Sequence, residues 1–226
     1  MKVVLSGSTG FIGGEILTQC LNHPSITSVL VLTRRDSGGL AENPKTKVII
    51  VKDFISYDEL TINELKTADA AIWCMGTFTG DERVDIEYPL TFIKAIKTRP
   101  RGSTPFRYVH LGGAFTEPPP RDGQKERFLW FYTNGRRVRG AAEARVLGST
   151  EDGSQGEFSV YLVKPGAVLP KDGAFLQRCI LGDSLSIRIN ELGATMVDLA
   201  VQGNEQKVFH NQEIIKYGRK LQETSI

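Results

Sequence analysis

The residues most plainly suited to holding a ligand come first: the apolar run Lys2-Val3-Val4-Leu5 leads directly into Ser6-Gly7-Ser8-Thr9-Gly10-Phe11-Ile12-Gly13-Gly14. A glycine at position 7 turns the chain off a strand, one at position 10 leaves the backbone open to a ligand, and one at position 13 lets the next helix lie close to the sheet. The start of that helix offers unpaired N–H groups and a positive dipole end, which suit a pyrophosphate. Gly7, Ser8, Thr9, Gly10, Phe11, Ile12 and Gly13 are therefore expected to hold a dinucleotide; the same pattern also fits a plain strand-turn-helix corner. About twenty residues on, where such folds read the ribose, the apolar strand Ser28–Thr33 ends in Arg34-Arg35. Two guanidinium groups and no carboxylate suit a ribose 2′-phosphate, which predicts NADP in preference to NAD; the alternative is two solvated charges at a strand end.

Candidates for proton transfer are sparse. Tyr132 and Arg136 are four apart and share a face if both are helical. The arginine cation would then favour the phenolate, although a guanidinium cannot itself pass a proton. The competing reading packs Tyr132 into the apolar cluster Phe128-Leu129-Trp130-Phe131-Tyr132. His110 closes the strand Phe106–Leu111 near the expected reaction centre, and its unperturbed pKa of about 6.5 suits acid–base work. A lone strand histidine also serves as a packed residue. At the end of the strand Val48–Val51, Asp53 either accepts from an adenine amino group beside Phe54 or starts a turn. Gly76 closes the strand that begins at Ala70 and allows the backbone to approach a cofactor.

The elements that must position these residues alternate. Strands are expected at 2–5, 28–33, 48–51, 70–75, 106–111 and 158–163. Helices are expected at 11–21, around 60–65, from about Pro89, and around residues 125 to 148. Such alternation predicts right-handed crossovers and a Rossmann-type α/β fold, a doubly wound parallel sheet with helices on both faces. After Lys164 the expectations are a helix over Ala174–Leu181, a strand at Ser186–Ile189, a helix over Ala194–Val201, a strand at Val208–Phe209 and a last helix over Asn211–Leu221. All 226 residues read as one NAD(P)-binding domain, with 113–127 and 166–226 supplying the substrate-side loops and wall. The apolar face of the 125–148 helix serves either the core or a homodimer.

Composition narrows the class. With 40% hydrophobic and 24% charged residues, the chain can bury one good-sized core. A net charge of +2 and a densest basic run of only Arg136-Arg137-Val138-Arg139 argue against a nucleic-acid binder. Cys20, Cys74 and Cys179 are few, scattered and in apolar settings, so they are expected as reduced core residues and not as metal ligands or bridges. No leader-like stretch precedes the first strand and no apolar run approaches the ~20 residues of a membrane span, so a cytoplasmic protein with no membrane partner is expected.

Together, Val3 to Arg35, the Asp53-Phe54 pair, Cys74-Met75-Gly76 and Lys164-Pro165-Gly166 resemble an atypical short-chain dehydrogenase/reductase, of the extended, epimerase-like kind and its Tat-interacting-protein-like branch. The resemblance implies NADP in the glycine-rich site and, in active relatives, hydride transfer assisted by a Ser and a Tyr-x-x-x-Lys pair. Here the serine's place is taken by Leu111-Gly112-Gly113. Gly140-Ala141-Ala142-Glu143 is similar to the segment just after the family's lysine, and that alignment puts Arg139 in place of the lysine and Gly135 in place of the tyrosine. The register of Tyr132 and Arg136 saves part of the set. Lys164 falls in the turn that carries the family's chain past the cofactor, and it is counted with the cofactor site, although a substrate contact or a solvated charge fits it too. In the family a loop in the place of Ala114 to Gly123, here stiffened by Pro118-Pro119-Pro120, covers the substrate; an ordinary exposed connection or a subunit contact fits it too.

Two functions are consistent with these residues. One is an NADP-dependent oxidoreductase acting on a small carbonyl or imine, with Tyr132, Arg136 and His110 standing in for the missing groups. The other is a protein that keeps the fold but not the redox chemistry: a cyclase or isomerase that works by positioning, or a nucleotide-sensing regulator.

Overall fold

A computed structural model of the protein describes residues 1–35, 39, 42–100, 104–120, 123–125, 127–150, 157–172 and 182–224. Its centre is a seven-stranded parallel sheet: β1 (Lys2–Ser6), β2 (Ser28–Thr33), β3 (Thr46–Ile50), β4 (Ala70–Trp73), β5 (Phe106–Leu111), β6 (Phe158–Lys164) and β9 (Val208–His210). The order across the sheet is β3-β2-β1-β4-β5-β6-β9. The chain therefore reverses its direction of travel between β1 and β4, which opens a crevice at the carboxyl ends of those strands. The inner strands are nearly continuous apolar runs, Val3-Val4-Leu5 and Val29-Leu30-Val31-Leu32 among them, because helices cover both faces.

One face carries α1 (Phe11–Asn22), α5 (Ile189–Val201) and α6 (Asn211–Thr224), packed over Val3, Leu5, Val31 and Val163. The other carries α2 (Glu59–Leu65), α3 (Tyr88–Lys97) and α4 (Thr133–Gly148). Phe54, Trp73, Phe92 and Tyr108 form an aromatic cluster beneath them. The apolar stripe of α4, Val138, Ala142 and Val146, is buried within the chain. A two-stranded parallel pair, β7 (Ala167–Leu169) with β8 (Ser186–Arg188), lies beyond the main sheet.

Several boundaries differ from the expected ones. The helix expected from residue 125 begins at Thr133, because Tyr132 sits at φ 46, in left-handed space that a right-handed helix cannot incorporate. Of the aromatic run before it, only Leu129 is buried. α5 starts five residues earlier than expected, at Ile189, where the Glu191 carboxylate accepts from the Arg188 N–H at 3.3 Å and caps the first turn. β4 ends at Trp73, so Cys74, Met75 and Gly76 already belong to the loop. α3 is preceded by a π-helical turn, Arg83–Glu87. Ala167, at the end of the turn expected after Lys164, begins a short strand, Ala167–Leu169. The helix expected over Ala174–Leu181 and Cys179 lie outside the described residues.

Candidate functional site

The carboxyl ends of β1, β2, β4, β5 and β6 open into two cavities of about 510 and about 550 Å³. Both are lined by Gly7, Gly10, Cys74, Met75 and Gly76, so they form one groove. Its first end runs from the glycine-rich turn to Thr33, Arg34 and Arg35, with Phe54 at its edge. Its second end is walled by Phe11, Ile12, Phe78, Leu111, Phe115, Phe131, Tyr132 and Val168, and it includes Arg136 and Arg139.

The glycine-rich turn is built as a cradle. Gly7 has φ 76, and a Cβ on it would stand 2.8 Å from the Cys74 carbonyl oxygen. A Cβ on Gly13 would run into the Gly7 carbonyl. The turn is closed by the Gly10 N–H donating to the Gly7 oxygen at 3.0 Å. No side chain among the described residues caps α1 at Gly10, and no acid lies in its first turn, so its leading N–H groups face the groove uncompensated. Ser8 Oγ is buried without a hydrogen-bond partner among the described residues. Phosphate oxygens would satisfy both sets of donors, so the residues present fit a dinucleotide's pyrophosphate. Arg34 and Arg35 are exposed at the rim where β2 ends.

Of the remaining candidates, Phe54 borders the groove, while Asp53, His110 and Lys164 do not line it. Asp53 pairs with Arg83 at 2.5 Å and accepts from the Ile55 N–H, and it does not line the groove. What little burial it has opposes ionisation, but those two partners hold its carboxyl below the ordinary range. Phe54 is fully buried against Tyr57, Trp73 and Tyr88. His110 is 5% exposed, and its Nδ1 lies 3.2 Å from the Tyr108 hydroxyl. Burial, and then the nearby Arg139 charge, push its pKa down from 6.5 to about 3. It lines neither cavity, so the imidazole is a neutral packed group, not one poised for acid–base exchange.

Tyr132 and Arg136 both line the second cavity, but not as helical neighbours. Tyr132 is the residue before α4, 70% exposed, and its carbonyl accepts from the Arg136 N–H at 2.9 Å. The Arg136 guanidinium lies 5.4 Å over the Phe131 ring and donates from Nε to the Phe115 carbonyl at 2.6 Å. No hydrogen bond among the described residues joins it to the Tyr132 hydroxyl. Lys164 is turned away from the groove into a buried pair, donating to Glu143 at 2.6 Å and to Thr116 Oγ1 at 2.9 Å.

Around that pair lie residues that are not among the expected site residues, although the family alignment runs through Glu143 and puts Arg139 in the lysine's place. Glu143 is 4% exposed; its Oε1 accepts from the Gly113 N–H at 3.0 Å and its Oε2 from the Thr116 hydroxyl at 2.7 Å. It thus fixes the loop that follows β5 along the floor of the second cavity. Asp85, also buried, does the same for the loop after β4, accepting from the Thr77 N–H at 2.7 Å. The sequence signals for Glu143 are its place in Gly140-Ala141-Ala142-Glu143, the segment similar to the one after the family's lysine, and its being a lone acid on an Ala- and Gly-rich stretch of helix. Arg139 Nη2 donates to the Gly112 carbonyl at 3.1 Å, and its guanidinium lies over Gly113. A Cβ on Gly135 would collide with the Phe78 carbonyl, and one on Gly140 with the Glu117 carbonyl. The place that the family resemblance gives to a tyrosine is therefore filled by the 78–80 loop, whose Thr79 carbonyl accepts from Asn134 at 2.9 Å. Cys74 borders the groove, but burial pushes its thiol pKa far up, which makes it a poor nucleophile.

Comparison with known proteins agrees with this architecture. No protein-family model matches the chain. Leucinostatins biosynthesis cluster protein T of Purpureocillium lilacinum is 32% identical over 76 residues, 34% of this chain and 28% of that protein. The mitochondrial protein FMP52 of Candida albicans is 24% identical over 140 residues, 60% of this chain and 58% of that protein. Its namesake in Aspergillus fumigatus is 29% identical over 120 residues, 50% and 51% of the two. The chain thus spans between 28% and 58% of these relatives' lengths. Among solved structures, dTDP-glucose 4,6-dehydratase of Bacillus anthracis in complex with NAD superposes with a TM-score of 0.64 at 10% identity, covering 99% of this chain and 81% of that one. The oxidoreductase ylbE of Lactococcus lactis gives 0.64 at 17% identity, covering 99% and 97%. The PhqB reductase domain of Penicillium fellutanum gives 0.67 at 16%, covering 92% and 66%. What these likenesses share with the chain is the fold, a parallel sheet in Rossmann order of the kind that binds nicotinamide dinucleotides.

Proposed function

We propose that the groove binds NADP and that the protein is an NADP-dependent reductase of a small carbonyl or imine compound, akin to the atypical short-chain dehydrogenases. The observation that carries the reading is the continuity of the groove. A phosphate-binding turn with the unpartnered Ser8 hydroxyl and two rim arginines lies at one end, and an apolar chamber with a phenol and guanidinium groups at the other. The rim arginines favour the 2′-phosphorylated coenzyme, because a guanidinium fork matches phosphate.

When bound, NADPH supplies the hydride. This chain's residues then have three tasks. Phe78, Phe115 and Phe131 wall the chamber and limit water. The Tyr132 hydroxyl gives a proton to the substrate oxygen or nitrogen. The Arg136 cation, which lines the same chamber, stabilises negative charge as it develops on that oxygen or on the phenolate.

A second reading is favoured by one feature. Gly112, Gly113 and Gly135 stand where the resemblance asks for a serine and a tyrosine, and the packing around Gly112 and Gly135 leaves no room for either side chain. In that reading the chamber shapes a substrate for a non-redox rearrangement, or the protein senses the nucleotide. The experiment is a calorimetric titration with NADPH and NADH, then NADPH oxidation assays across aldehydes, ketones and imines with the wild type and Tyr132→Phe. The reductase reading expects saturable NADPH binding, turnover on at least one compound and its near-complete loss in the variant. Tight NADPH binding with no oxidation across the panel would instead select the second reading.

A further inference from the structure

Among its described lining residues, the second cavity carries charge of one sign only: they include Arg136 and Arg139 and no aspartate or glutamate, while the rest of the wall is mostly aromatic and aliphatic. Arg139 is half-buried and forms no ion pair among the described residues; its one hydrogen bond to them runs from Nη2 to the neutral Gly112 carbonyl. The acid one turn further along α4, Glu143, is already occupied by Lys164, Thr116 and the Gly113 N–H. Beneath the guanidinium, Gly113 presents no side chain, and an added Cβ would already touch Nη2 at 3.6 Å, so the glycine lets the guanidinium lie close over the loop and leaves the cavity side for an anion. The nearest imidazole, His110, is held neutral and adds no positive charge. A half-buried guanidinium with spare donors in an apolar chamber is costly unless an anion joins it, and its planar fork matches a carboxylate.

We propose that Arg139 is a specificity residue that anchors the carboxylate of the substrate, and that the substrate is an apolar oxo or imino acid. This deepens the reductase reading and rests on it. Arg136 and Arg139 are three apart on one helix, which puts their Cβ atoms roughly 5–6 Å from one another. One guanidinium therefore takes the carboxylate while the other faces a reacting group only a few bonds away, which favours a carbonyl close to the acid. The aromatic walls take the apolar body.

The test uses the whole protein saturated with NADP⁺, so that no turnover occurs, and compares benzoylformate with its uncharged methyl ester by calorimetry. The acid is expected to bind about tenfold tighter than the ester or more, because a charge-assisted bidentate contact is lost in the ester. Arg139→Met is expected to remove that preference while leaving NADPH affinity unchanged. Arg139→Lys is expected to keep part of it, and Arg145→Met, on the exposed side of α4, all of it. Should Arg139→Met fail to fold, the acid–ester comparison on the wild type and the lysine variant still decide. Equal binding of acid and ester, a preference that survives Arg139→Met, or no binding of either compound by a protein that binds NADPH overturns the inference and leaves the cofactor reading standing. An acid preference that depends on Arg139 in a protein with no affinity for NADPH would support the anchor and sink the cofactor reading.

Discussion

Lys164 Nζ meets Glu143 Oε2 at 2.6 Å, and the two side chains are 15% and 6% exposed. The pair ties the end of β6 to α4, and through the Gly113 N–H and the Thr116 hydroxyl it ties both to the chamber floor. Removing one partner leaves the other charge buried and uncompensated. Lys164→Met is therefore expected to cost about 3–5 kcal/mol of stability, and the double variant Lys164→Met/Glu143→Leu less than that. Urea unfolding of both variants measures the difference; a double variant less stable than the single one would contradict the account.

The neutral state of His110 should be visible in the pH dependence of folding. The unfolded chain takes up a proton near pH 6.5, whereas the folded chain resists it until about pH 3. Stability from this site is thus complete above pH 6.5 and is lost as pH falls through that window, with a limiting slope of about 1.4 kcal/mol per pH unit. His110→Phe should flatten the slope of the urea midpoint against pH, whatever it does to absolute stability. Imidazole NMR shifts should likewise show no titration of His110 near pH 6.5 in the folded protein.

Glycines within α4 should respond to alanine in opposite directions. Gly148 faces open space, and Gly148→Ala should gain about 0.4–1 kcal/mol through the unfolded state. Gly135→Ala meets the Phe78 carbonyl and should instead lose about 1–3 kcal/mol. Thermal unfolding of the two variants reads the sign directly.

Arg34 tests the coenzyme preference. Arg34→Ser is expected to weaken NADPH binding about tenfold, roughly 1.4 kcal/mol, with NADH affinity nearly unchanged, because only the former carries the 2′-phosphate. Calorimetry with both nucleotides measures it, and equal weakening of the two would mean that the side chain reads something other than that phosphate.

The portions of this architecture that are legible in the sequence are those encoded locally. The opening strand, its glycine turn and α1 follow from apolar spacing and three glycines within a dozen residues, and the alternation after them gives the parallel sheet. What escapes is set by partners far away in sequence. Glu143 acquires its role from Gly113, Thr116 and Lys164, which come from two other segments. His110 looks available until burial and Arg139 are seen around it. The aromatic run from Phe128 to Tyr132 reads as the start of a packed helix, yet four of its five side chains stand at the surface, because the left-handed Tyr132 turns the chain before α4 begins.

Because Gly135 and Gly140 let α4 touch the 78–80 loop and the Glu117 segment backbone to backbone, the helix acts as a splint between the two lips of the chamber. The Glu117 N–H donating to the Arg136 carbonyl at 2.9 Å and the Asn134 amide on the opposite lip stitch it to both. Spreading the lips would break the Glu117–Arg136 main-chain bond on one side and the Asn134 amide's bonds on the other, whereas swivelling the aromatic rings breaks neither. Bulk in a ligand is thus gauged by ring rotation, while the span between the lips stays constant.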